Sequence, residues 1–393
     1  MNHPFWLIFS VLITFFAINT KPNCQASQSS NIESNILQFE EIADLIIERL
    51  SIQPGEKIMC VGKPGGDFDP IVRLLAQKIA AKNAEYLGTL SVTDNQPKSW
   101  SSNFTRATEG LNLEELQSHF RQCDAGIMLP GAVPTDLPYR AMQNVLDTGS
   151  VRTIHFHWAG AYSLGMDVLE ISDAISSIYQ NALLETDYEA LSKKQHEMEA
   201  AMRGSLIRVT TPAGTDVSLK IGTRPVTKQD GDASALRAQL ARNLIDREIE
   251  LPAGALRVAP IEESVNGVIV FPPSHWGGTK VKGLTLTFNS GVVTQWSAEK
   301  GGEAFETDLK SAGDAARAFR EIAIGLSPLL AIPESNPWIP YYGYGAGVVR
   351  LSLGNNLELG GKVGGDYVRW NFFTDATVSI DDEVWIRDGI LVH

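Results

Sequence analysis

The chain has 393 residues, of which 44% are hydrophobic and 20% charged, with a formal net charge of −13. That is the composition of an ordinary globular protein, long enough for two domains with cores of their own. The acidity repels a phosphate backbone, and no Lys/Arg block interleaved with aromatics offsets it, so nucleic acid is excluded as a partner.

Residues 5–18 (FWLIFSVLITFFAI) form an apolar run of signal-peptide length, too short to span a bilayer comfortably as a helix. Cys24-Gln25-Ala26 supplies small residues for cleavage before Ser27. The expectation is a signal peptide over 1–26 and a secreted or periplasmic mature protein with no stable membrane span. An uncleaved signal acting as a membrane anchor is the lesser alternative, because no Lys or Arg precedes the apolar run. The mature chain then keeps Cys60 and Cys123, neither in a CxxC motif, as either two buried thiols or one disulfide.

Apolar residues at helical spacing predict a helix within 28–53. Alternation follows. Strands are predicted over 57–62, 86–92, 125–129 and 151–158, with helices over 69–84, 113–121 and 139–146 between them. Strict alternation implies an α/β domain, a parallel sheet with helices on both faces, spanning 27–203. Helical patterning continues over 166–203, broken near 183–186. From Gly204 the texture turns β-rich, with strands predicted at 205–211, 216–221, 281–288 and 292–296, one helix over 304–325, and a closing hairpin around 385–390. The second domain, 204–393, is therefore read as β-rich α+β.

Four motifs in the second half carry a resemblance. They are Leu251-Pro252-Ala253-Gly254 with Ala259-Pro260 and Ser264-Val265-Asn266-Gly267, then Arg320-Glu321-Ile322-Ala323-Ile324-Gly325, then Val349-Arg350-Leu351-Ser352-Leu353-Gly354, then Val368-Arg369-Trp370-Asn371-Phe372. In order and spacing they resemble the aminopeptidase T type of metallo-aminopeptidase, the thermophilic leucyl-aminopeptidase-like family. The resemblance implies an aminopeptidase, a homodimer, and paired metal ions held by two Glu, two His and an Asp. Ions so held activate water and polarise a peptide carbonyl. Carried over residue by residue, the first Glu falls at Ala255, the two His at Arg350 and Arg369, and the Asp at Asn371. Only Glu321 persists. A guanidinium has no lone pair for a cation and repels it.

Two readings stay open. In one, an aminopeptidase-like hydrolase acts on small peptides or amino-acid derivatives with Glu321 as its catalytic carboxylate. Any Zn, Mn, Co or Fe is then held by His155, His157 and His275 with Glu321. His155 and His157 are two apart at a strand end, where loops of an open α/β sheet bind ligands. In the other, a pseudo-peptidase without cofactor binds an anionic small molecule through Arg350 and Arg369, with Asn371 beside them, if both arginines converge on Glu321. Glu262 and Glu263 are read as an exposed acidic turn.

Overall fold

The computed structural model describes residues 37–393. The expected signal peptide, Cys24 and the start of the first predicted helix lie outside the described residues. The first helix runs Phe39–Leu50, with Ile42, Ala43, Ile46, Ile47 and Leu50 buried along one face.

The strands Lys57–Gly62, Glu85–Ser91, Ala125–Met128 and Arg152–Phe156 pair in parallel, and alternation along Lys57–Gly62 explains the two covered faces. Ile58 and Cys60 pack with Ile46 and Leu75 from the helices Phe39–Leu50 and Asp69–Ala81. Met59 and Val61 pack with Phe120 and Met142 from the helices Leu113–Phe120 and Leu137–Asp147. A fifth strand comes from far along the chain: Glu248–Leu251 pairs in parallel with Arg152–Phe156 and completes the sheet.

The helical stretch before residue 204 resolves into Asp173–Leu184 and Tyr188–Met202, with the Asp187 carboxylate capping the second by accepting from the Ala190 amide. Beyond it lie an eight-stranded and a five-stranded sheet whose paired strands are antiparallel. The five-stranded sheet is ordered Val368–Phe373, Val349–Gly354, Phe319–Gly325, Ala255–Val258, Thr227–Lys228. The fold is an α/β region with a parallel sheet followed by a strand-rich region of antiparallel sheets. One cluster of buried side chains joins the two, reaching from Ile46 through Ile154 and Leu256 to Phe373. Among the described residues no helix is long and apolar enough to cross a membrane.

One expectation is overturned. The helix predicted over 304–325 ends at Ala312, a short turn Asp314–Arg317 follows, and Phe319–Gly325 is a strand. Gly313, at φ 57°, stops the helix. All seven residues of the strand are buried, and a short run covered on both faces shows no period by which to tell strand from helix.

Candidate functional site

The five-stranded sheet sets the family positions side by side. Arg257 pairs with Ala323, Ala323 with Arg350, and Glu321 with Ser352. Side chains alternate along a strand, so Ala255, Arg257, Glu321 and Arg350 share one face. Glu321 is fully buried there and meets three guanidinium groups. Arg257 Nε lies 3.2 Å from Oε2, while Arg350 Nη2 lies 3.3 Å and Arg320 Nε 3.6 Å from Oε1. A register shift at Arg320 lets neighbours in sequence reach one cluster. The Ser352 hydroxyl donates to Oε1 at 3.3 Å, and Glu358 closes the network by accepting from Arg320 and lying 3.7 Å from Arg257. Burial opposes ionisation of Glu321, but the Arg257, Arg350 and Arg320 charges outweigh it and hold the carboxyl well below the usual carboxylate range.

Arg369 does not join this cluster. On its strand Phe372 pairs with Arg350 and Asn371 with Leu351, which turns Arg369 and Asn371 to the opposite face. Arg369 stacks 3.5 Å above the Trp276 ring and donates to the His275 carbonyl at 3.1 Å. Asn371 is buried, its amide 3.4 Å from the Leu351 carbonyl. The convergence of Arg350 and Arg369 on Glu321 is thus not realised. Arg257 and Arg320 stand where a second arginine was expected, and the aromatic residues Trp370 and Phe372 face Arg350.

The histidines separate as well. His155 is buried in the parallel sheet, where the Tyr139 hydroxyl and Glu248 Oε1 each lie 2.7 Å from Nδ1, and its Nε2 has no partner. His157, partly exposed at the strand end, lies 5.6 Å from the His155 ring and 6.1 Å from Tyr342. Burial, with His155 alongside, pushes its imidazole down to about 3, so it is neutral at ordinary pH. Glu250, 4.0 Å from Arg257 and bonded by the Tyr344 hydroxyl, has its carboxyl raised by burial. His275 pairs instead with Asp167, Nδ1 to Oδ1 at 2.7 Å. Glu262 is not an exposed turn residue: it is buried against Arg224, Asn356 and the Lys362 amide, and only Glu263 is open to solvent.

These residues do not fit a pair of divalent cations. The one persisting carboxylate is surrounded by guanidinium groups, which carry no lone pair and repel a metal. Among the described residues no three His, Cys, Asp or Glu side chains are grouped so as to hold a metal ion. The set His155, His157, His275 and Glu321 is therefore not assembled.

A family model described as thermophilic metalloprotease (M29) matches residues 182–332. Wild-type AmpT from Thermus thermophilus has a TM-score of 0.58 at 17% identity, over 90% of this chain and 99% of that one. The 2,5-dihydroxypyridine dioxygenase of Pseudomonas putida KT2440 has a TM-score of 0.59 at 14% identity, over 90% of this chain and 97% of that one. No curated protein matches. Over residues 182–332 the sequence is similar to the thermophilic metalloprotease (M29) family, and over 90% of its length the fold is similar to that of AmpT.

Proposed function

We propose that the chain is an exported, metal-independent relative of that family which binds a small carboxylate-bearing molecule, a peptide or amino-acid derivative, rather than hydrolysing one. The observation that carries this reading is the enclosure of Glu321 by Arg257, Arg320 and Arg350. Where relatives are expected to hold cations, this chain holds fixed positive charges of its own. Three guanidinium groups face two carboxylates, Glu321 and Glu358, within the network, and Glu250 is made a reluctant anion by burial. The surplus positive charge favours an anionic group at Arg350. Export rests on the apolar run at 5–18.

Elemental analysis of the purified mature protein, together with hydrolysis of aminoacyl p-nitroanilides with and without added Zn, Mn, Co or Fe, tests the reading. Substoichiometric metal and hydrolysis no faster than buffer are expected. Stoichiometric metal with metal-dependent hydrolysis would overturn it.

A further inference from the structure

Arg350 is 2% exposed, yet its Nε and Nη2 have no hydrogen-bond acceptor. Nη2 is close to Glu321 without the direction of a bond, and only Nη1 is engaged, donating to the Tyr342 carbonyl at 3.4 Å. Buried guanidinium N–H groups are normally satisfied, so two left open mark a place for an acceptor.

The surroundings are aromatic. The Arg350 guanidinium lies 4.7 Å from the Trp370 ring centroid. Tyr342 lies 5.9 Å from Trp370 and 6.3 Å from Tyr162, which in turn lies 5.5 Å from Phe372. Tyr162, Tyr342, Trp370 and His157 are each partly exposed, whereas Arg350 is closed beneath them. Tyr342 also has a left-handed backbone, φ 54°, and its ring covers Gly160, where an added Cβ would come within 2.6 Å of it. Packing holds this ring in a conformation that tyrosine rarely adopts, and such positions gather at ligand clamps.

A planar guanidinium among flat rings matches a planar anion with a flat apolar body. We infer that the ligand of this site is an aromatic carboxylate, its carboxylate on Nε and Nη2 of Arg350 and its ring against Trp370 and Tyr342. Entry requires the Tyr342 ring to swing off Gly160. The inference rests on the binding reading above and narrows it from carboxylates in general to flat ones.

Calorimetric titration of the full mature protein with benzoate, and with cyclohexanecarboxylate as its non-planar counterpart, tests it. Benzoate is expected to bind about fivefold tighter, the ratio corresponding to one aromatic contact. Trp370→Leu, at a partly exposed ring, should erase the preference with circular dichroism unchanged, and Arg350→Gln should abolish binding of both. Equal affinities that Arg350→Gln still abolishes would overturn the aromatic inference and leave the binding reading standing. A preference that survives Trp370→Leu would also overturn it. If neither carboxylate binds, both fall.

Discussion

Glu321 and its three guanidinium partners show what it costs to keep charge inside a protein. Each ion is desolvated, and the network is tolerable only while the charges compensate one another. Glu321→Gln should therefore cost about 3–5 kcal/mol in urea unfolding, because it strands buried cations. The pH dependence separates by group. The folded-state carboxyl of Glu321 lies below its unfolded value, so its stabilisation is present above about pH 4.3 and is lost as pH falls below that. His157, lowered from 6.5 to about 3, contributes fully above pH 6.5 and loses its contribution as pH falls toward 3. Glu250, raised by burial, acts in the opposite direction, stabilising at low pH and losing this as pH rises. Comparison with a variant isolates the histidine: His157→Gln should flatten the fall in Tm between pH 6.5 and 4.5, measured by thermal unfolding. Cys60 and Cys123 are free and buried, each thiol pushed up to about 12 chiefly by burial. Neither should react with an aromatic disulfide reagent until the protein unfolds, and prompt release of colour from native protein would contradict this.

At the scale of elements, the alternation of strand and helix through residue 158 was legible because apolar periodicity and turn residues agree there. The strand Phe319–Gly325 was not, since a run buried on both faces carries no period. That strand also shows why the site was half legible. Glu321 and Arg350 could be placed by motif, but the face on which Arg369 lands depends on cross-strand register, which no single motif encodes. Arg257 had a readable signal. It sits two residues beyond Ala255, hence on the same face of a strand, and period-two reading alone points it at Glu321. The tyrosines at 342 and 344 reach the site only through tertiary packing. Close approach at the strand end gives a further expectation. A Cβ on Gly325 would meet the Gly345 carbonyl oxygen at 2.1 Å, so Gly325→Ala should cost about 1–3 kcal/mol by overpacking, read from chemical denaturation.

For the molecule as a whole, the fold and the substituted positions make separate statements. The fold is similar to that of AmpT, while the proposed binding site is held by an ion network of side chains, which cannot be withdrawn as bound ions can. A chelator should then leave Tm unchanged, whereas a chain held together by bound cations would lose stability in proportion to the metal withdrawn. Under the proposed export, N-terminal sequencing of the mature protein should begin at Ser27. The strand Glu248–Leu251 has a consequence of another kind. Because it is the outer partner of Arg152–Phe156, the parallel sheet cannot close until residue 251 has been synthesised, some hundred residues after the sheet's other strands. Until then the growing polypeptide presents an open, apolar strand edge. A fragment ending at residue 203 should accordingly aggregate where the whole chain stays soluble.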